Sequence, residues 1–440
     1  MQADYKMKVT AIFDIGKTNK KFFLFDENYN IVLKESISFD EILDEDGFTA
    51  DNLPAIEEWI KNILRRIIND PQFEISAINF SAYGASFVHV DENGKPVTAL
   101  YNYLKPYPEN ISQSFFNKYD KEKTIAAETG SPFSGMLNSG LQLYWLKYAK
   151  PDIFKKIKWS MHLPQYFSYL LTGVPVSDHT SIGCHTSLWN YKKKDYHHWV
   201  YEENIDKILP DIASSDKIFQ TTFDGKAINV GAGIHDSSGA LLPYILADKK
   251  PFVLLSTGTW SISLNPFSEE FLTETDMENN CLNYMRTDGK PVRAARLFLG
   301  REHEVQAQLL CEHFKKEKDY HQHIKFNQVI FEKLKSNYSI CYRFENINLD
   351  NVQPLATSYE RFLNFEEAYH QLIIELSELQ MKSTKLAIGN TAIHKIYVDG
   401  GFADNDIYIK LLERNFPHCE IIIAQSPIGS ALGAAMITSK

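Results

Sequence analysis

Residues 11–21, AIFDIGKTNKK, decide how the rest of the chain is read. The apolar run 9–13 reads as a buried strand, Asp14, Gly16, Thr18 and Asn19 stand at its end, and a second apolar run, 22–25, resumes at once. Two strands joined by a tight turn of Gly, Thr and Asn form a hairpin whose backbone N–H groups can face an anion. An acid at the mouth of such a turn can hold a divalent cation, directly or through water. The stretch therefore reads as a grip for phosphate and magnesium. Gly16, Lys17 and Thr18 also resemble the end of a Walker A loop, but that motif requires a glycine where Ala11 stands and a helix where the chain returns as a strand. An ordinary hairpin with a polar turn is the competing interpretation, and the rest of the chain has to separate the two.

The opening pattern comes back once. The run 252–255 reads as a strand, Ser256, Thr257, Gly258 and Thr259 as a polar tight turn, and 260–264 as a returning strand, with 281–286 expected to be the third. After the first hairpin come a strand at 31–33, a helix at 54–68 with Ile56, Ile60, Ile63, Leu64 and Ile67 on one face, and a strand at 75–80. After the second come a helix at 304–314, a long helix at 365–388, a strand at 395–398, a sharp turn at Asp399, Gly400 and Gly401, a helix at 406–415, a strand at 421–423 and a closing helix at 429–437. Two halves that each begin with a Gly/Thr hairpin imply a nucleotide clamped in a cleft between them.

Between the hairpins, 81–86 (SAYGAS) is a small-residue loop at a strand end, where open α/β sheets often bind ligands. Leu141, Tyr144, Trp145 and Tyr148 at helical spacing read as core, and 164–171 as a short helix closed by Gly173. Gly233, Ile234, His235 and Asp236 lead from a strand at 228–232 into a helix.

The chain has 440 residues, enough for two or three domains, and 44% hydrophobic content, enough for a large core. A net charge of −10 argues against nucleic acid or an anionic membrane as partner. The five cysteines are odd in number and form no CxxC pair, so they read as free thiols in a reducing compartment. The sequence MQADYKMKVT has no apolar h-region, and no uninterrupted apolar run approaches ~18 residues, so neither a signal peptide nor a membrane span is expected and the cytoplasm is the expected location. Glu302-His303-Glu304, His321-Gln322-His323 and His197-His198 lack the spacing of a zinc site and read as solvated faces.

Five segments, in order, resemble the FGGY carbohydrate kinase family. They are 14–21 (DIGKTNKK) for the first phosphate motif; Leu170, Leu171, Thr172 and Gly173 followed by Asp178 and Ser181; Gly233 to Asp236; 256–259 (STGT) for the second phosphate motif; and 399–405 (DGGFADN) for the adenosine motif, with Gly433 and its following alanines closing the pattern. The resemblance implies an α/β fold of two ribonuclease-H-like domains around a central cleft, as in actin, sugar kinases and heat-shock ATPases. Residues 1–234 would form the sugar-binding and first-phosphate domain, and 235–440 the ATP-binding domain. It implies ATP and Mg2+, a small sugar as the other partner, and a monomer or homodimer.

Asp236 is the implied general base, with His235 beside it as a titratable competitor and sugar contact; a carboxylate at a helix N-terminus would be held in its charged form. Asp14 would orient magnesium; Gly16, Thr18 and Asn19 would hold the phosphates from one side, and Ser256, Thr257, Gly258 and Thr259 from the other. Lys17, Lys20 or Lys21 would add charge, although one turn cannot aim all three inward. Gly400, Gly401 and Asn405 would meet the adenosine. Sugar contacts are sought at Ser81, Tyr83, Asn102 and Asp178, each of which reads equally well as an ordinary loop or turn residue. Where many members carry Trp-x-Asp-x-Arg, this chain has Tyr101, Asn102, Tyr103, Leu104 and Lys105, and the 81–86 loop lacks the usual Gly-Gln. These departures leave the sugar open. Asn19 and the modest length favour fuculose- or rhamnulose-type ketoses over xylulose, ribulose or polyols; an actin-like ATPase that is not a kinase and a sugar-binding chain without kinase activity are the other readings.

Overall fold

The computed structural model describes residues 6–347, 353–424 and 428–438. Its first half is built on the opening hairpin. Strand β1 (Met7–Ile15) pairs antiparallel with β2 (Lys20–Phe25), which pairs with β3 (Ile31–Ile37). After helix α1 (Leu53–Asn69), strand β4 (Phe73–Ala82) returns parallel to β1. Helix α1 starts where Asn52 accepts a hydrogen bond from Ala55 N, and it buries Ile56, Ile60, Ile63, Leu64 and Ile67, the face expected from their spacing. Helix α2 (Leu163–Thr172) ends at Gly173 in the left-handed conformation (φ 67°). Strands β5 (Ile218–Phe223) and β6 (Lys226–Gly231) then complete the sheet in the order β5-β6-β4-β1-β2-β3, and the short β7 (Ile234–His235) lies beside the end of β4. The β5 strand has no counterpart in the sequence reading.

Helix α3 (Asp236–Ala247) leads into the second sheet. Strands β8 (Phe252–Thr257) and β9 (Ser261–Asn265) form the second hairpin. The expected third strand is displaced: β10 (Cys281–Met285) lies at the sheet edge, and β11 (Pro291–Leu297) stands between it and β9. Arg293 and Arg296 break the apolar run of β11 in sequence; the structure places Arg293 against Asp276, an ion pair made through the fold. Helix α4 (Leu299–His313) and the 24-residue helix α5 (Phe365–Ile388) precede β12 (Lys395–Gly400), parallel to β8; helix α6 (Asp406–Asn415) and β13 (Glu420–Ile423) follow. The order β10-β11-β9-β8-β12-β13 repeats the first sheet's plan of a hairpin with a parallel return strand on its other side.

Two apolar cores lie one to each half. Phe13, Phe22, Ile60, Phe80 and Phe167 are buried in the first, and Leu255, Tyr342, Tyr369, Leu372 and Val398 in the second. The final helix α7 (Gly429–Ile437) packs back on the first half, where Ala431, Ala434 and Ala435 meet Ile12, Phe23 and Phe25. Helices α3 and α7 cross at glycines: a Cβ on Gly433 would lie 1.9 Å from Gly239 O. The four residues read as core at 141–148 divide, with Leu141, Tyr144 and Trp145 buried and Tyr148 about half exposed. All five cysteines are free, and only Cys419 is not buried. Among the described residues no helix is long and apolar enough to cross a membrane.

Candidate active site

Asp236 opens helix α3 beside the last strand of the first sheet. The turn that delivers it needs a glycine, because Gly233 has φ 83° and a Cβ there would meet Pro164 O at 2.5 Å. Gln165 donates to Gly233 O, and Asn79 both accepts from Gly233 N and donates to Ala434 O, so α2, β4 and α7 fix one turn. Asp236 Oδ1 receives Ser237 N and Ser237 Oγ and lies 3.2 Å from His235 Nε2. No described residue hydrogen-bonds Oδ2. About a third of the side chain is exposed and protein surrounds the remainder. Burial raises its pKa to about 6, against the partial offset from Ser237. The expected stabilisation of its charge by the helix N-terminus is therefore overturned: desolvation is the larger effect.

His235 is buried, and burial holds its pKa down at about 3, so the imidazole is neutral. Its ring stacks on Tyr284, and Nε2 also lies 3.1 Å from Cys184 Sγ. The 81–86 loop passes over it: a Cβ on Gly84 would sit 2.8 Å from Nε2, so only glycine fits.

Asp14 stands opposite Ser81 in the β1–β4 register and opposite Lys21 in β1–β2. Ser430 at the start of α7 donates to its Oδ1 at 2.9 Å. Burial raises the Asp14 pKa, the Ser430 bond works against that, and the charge of Asp236 adds to it. The two carboxylates thus share one electrostatic environment although 222 positions apart in sequence. The hairpin turn between β1 and β2 closes through Gly16 N to Asn19 O, 3.0 Å, with Thr18 and Asn19 exposed at its tip.

The lysines of that hairpin separate by face. Lys17 and Lys20 both pair with Asp51, at 2.5 and 3.1 Å, and Tyr83 donates to the same carboxylate at 2.8 Å. Burial opposes the charge of Asp51, yet the hydrogen bond and charge of Lys17 keep its pKa below the ordinary value. Lys21 makes no ion pair with any described residue and lies on the face of Asp14.

The second hairpin abuts a hollow of about 230 Å³ lined by Gly258, Thr259, Arg301, His303, Phe402 and Asn405 among others. A second hollow of about 520 Å³ adjoins it at His303, Gly401 and Asn405. Glycines make the approach: a Cβ on Gly400 (φ 90°) would lie 1.8 Å from Thr257 O, and one on Gly300 1.9 Å from Gly258 O.

Residues 9–240 match the profile of the N-terminal domain of the FGGY family of carbohydrate kinases. The chain belongs to this family. Residues 249–337 match the family's C-terminal domain. A rhamnulokinase from Halalkalibacterium halodurans is 27% identical over 274 residues, 58% of this chain and 56% of the relative. A gluconokinase from Bacillus subtilis is 26% identical over 228 residues, 50% of this chain and 42% of the relative. The chain thus matches about half the length of these curated relatives. The crystal structure of a carbohydrate kinase from Novosphingobium aromaticivorans has the same fold, with a TM-score of 0.78 at 24% identity over 98% of this chain and 91% of that one.

Against this FGGY fold, the structure brings Asp14, Ser81, His235 and Asp236 together, and Gly258, Thr259, Gly401 and Asn405 line the hollows. Ser256 is exposed at the second hairpin. Four expected ligand contacts are otherwise engaged. Thr257 Oγ1 donates to Asp399 O and accepts from Phe402 N, locking the Gly400 turn. Asp178 is fully buried; its carboxylate accepts from Ser215, Thr180 N and Thr180 Oγ1, and the Thr180 hydroxyl in turn receives His235 N. Asp178 reaches the site through Thr180. Asn102 Oδ1 caps Leu104 N in a turn, while the neighbouring Tyr103, not singled out from sequence, lies where both Asp236 and Asp51 raise its pKa, after burial. Tyr83 is turned toward Asp51. The expected solvated faces are also corrected: Glu302 is buried and accepts from Asn346, His197 is buried against Glu128, and His303 lines both hollows. From sequence, Lys21 is one of three candidate cations and His303 part of a solvated face, and Ser430 is not singled out.

Proposed function

We propose that this FGGY-family chain transfers the γ-phosphoryl group of ATP to a hydroxyl of a small sugar, with residues 1–234 supplying the sugar side and first hairpin and 235–440 the nucleotide side. The observation that carries the reading is Asp236: a carboxylate with one oxygen held by Ser237 and approached by His235 at 3.2 Å, the other without a hydrogen-bond partner among the described residues, and a pKa of about 6. Such a group accepts a proton from an alcohol as the bond to phosphorus forms. Ser237 occupies Oδ1 and leaves Oδ2 for the substrate.

Asp14, with Oδ1 bonded by Ser430, offers oxygen donors that fit Mg2+. Mg2+ in phosphoryl-transfer sites is commonly bound by one or two carboxylates together with the substrate's phosphates. When bound, Mg2+ neutralises phosphate charge. Lys21, on the same face, adds a cation. Gly16, Thr18 and Asn19 present one turn to the phosphates and Ser256, Gly258 and Thr259 the other, and closure of the halves excludes water.

The rhamnulokinase relative supports a ketose, with L-rhamnulose and L-fuculose as first choices. ADP release measured over L-rhamnulose, L-fuculose, D- and L-xylulose, D- and L-ribulose, gluconate and glycerol tests the reading. ADP should appear only with a sugar present; hydrolysis independent of every acceptor would overturn it.

A further inference from the structure

Asn405, expected to meet the nucleoside, is committed elsewhere. Its Oδ1 caps helix α6 by accepting from Tyr408 N at 3.0 Å, which fixes the amide orientation and sends Nδ2 to Tyr369 Oη at 2.9 Å. Tyr369 is buried and has one proton to give. The only acceptor for it among the described residues is His303 Nε2, 2.9 Å away. Nε2 therefore holds the lone pair. Burial, helped by His321, holds the imidazole neutral, with a pKa of about 3. Its single proton is then on Nδ1. That atom has no hydrogen-bond partner among the described residues, and His303 lines both hollows beside the second hairpin.

We propose that His303 selects the nucleobase, presenting Nδ1–H to an unprotonated ring nitrogen of adenine, and that Tyr369 and Asn405 are positioning residues that fix its tautomer. The chain runs Tyr408 N–H, Asn405, Tyr369, His303, base, with each proton assigned by the one before it. An N–H covered by the bound base and left without an acceptor would bear its desolvation penalty uncompensated, so the loss should be measurable in affinity. The inference rests on the reading of these hollows as the nucleotide site.

Calorimetric binding of ADP and of 1-deaza-, 3-deaza- and 7-deaza-ADP to the full chain tests it. One of the three analogues should bind the wild-type protein about tenfold more weakly than ADP, the scale of one lost hydrogen bond. His303→Phe should bind ADP and that analogue alike. Tyr369→Phe, which frees the tautomer, should show an intermediate discrimination. If ADP binds but all three analogues match it, or if the discrimination persists undiminished in His303→Phe, the assignment to His303 is overturned while the nucleotide site stands. If ADP itself does not bind, the site reading falls and the inference with it. Equal binding of ADP and all three analogues by the wild-type protein overturns the inference without any variant having to fold.

Discussion

His235 Nε2 lies 3.2 Å from Asp236 Oδ1, at the point where the last strand of the first sheet gives way to helix α3. Nε2 shares a hydrogen bond with Cys184 Sγ at 3.1 Å, and it is Ser237 N and Oγ that occupy Oδ1 and so determine which oxygen remains available. Asp236→Asn removes the base while keeping the shape. Turnover should fall by about 10²–10⁴, the usual scale for a general base, with ATP still bound in calorimetry. The same change should raise the melting temperature at pH 7.5. A carboxyl whose folded pKa of about 6 exceeds its ordinary 3.8 favours the folded state at low pH and withdraws that contribution as pH rises through 6. The gain should therefore shrink when melting is repeated near pH 4. Near-normal turnover would remove Asp236 from the mechanism.

The pH profile follows from the same group. Asp236 must be ionised to accept a proton, and its pKa of about 6 places the transition within reach of ordinary buffers. The value of kcat/KM should be level above pH 7 and fall with unit slope below about 6. His235 cannot supply this limb, because burial holds its own pKa near 3. A profile flat down to pH 5 would show that a different group carries the proton.

Asp51 holds Lys17 and Lys20 at once, with the Lys20 side chain 3% and its own 5% exposed. Asp51→Asn would leave a buried ammonium without its counter-charge. The expected loss is about 3–5 kcal/mol in denaturant unfolding, the scale for breaking one side of a buried pair. A loss under ~1 kcal/mol would mean that Lys20 escapes to solvent, and the hairpin is less rigid than the structure shows.

Lys21 is the hairpin lysine on the face of Asp14. Lys21→Met should raise the KM for ATP about tenfold, equivalent to ~1.4 kcal/mol of lost charge attraction, whereas Lys17→Met should act mainly on stability through Asp51. Equal effects of the two on KM would contradict the division of faces.

The hairpins were legible in the sequence because their signals are local: apolar runs of strand length meet at Gly, Thr and Asn. The face of helix α1 was legible for the same reason, since Ile56, Ile60 and Ile63 carry their period with them. What the sequence hid depends on partners far along the chain. Strand β11 was missed because Arg293 reads as solvent-facing until Asp276 meets it. Lys17 and Lys20 read as phosphate ligands until Asp51, more than thirty positions on, takes both. Asp178 and Thr257 carry the right chemistry for ligand contacts, but Ser215, Thr180, Asp399 and Phe402 use it first. The raised pKa of Asp236 was invisible for a related reason: the helix end is written in the sequence, and the burial that outweighs it is a property of the assembled fold.

The crossing of helices α3 and α7 links the two carboxylates mechanically. Helix α3 begins with Asp236, helix α7 places Ser430 on Asp14, and the two touch where Gly433 meets the Gly239 backbone. Gly433→Ala would set a methyl 1.9 Å from Gly239 O, a distance that only movement of a helix can relieve. Overpacking of this kind costs about 1–3 kcal/mol, and the melting temperature should fall accordingly. The more specific consequence is kinetic. Separating the helices shifts Asp236 relative to Asp14, so kcat should drop by more than the KM for ATP rises, since the hollows beside the second hairpin lie elsewhere. Single-turnover rates with saturating ATP and sugar, set beside thermal melts, distinguish the two effects. A variant that melts early but turns over normally at 20 °C would show that the crossing supports the fold without setting the distance between the acids.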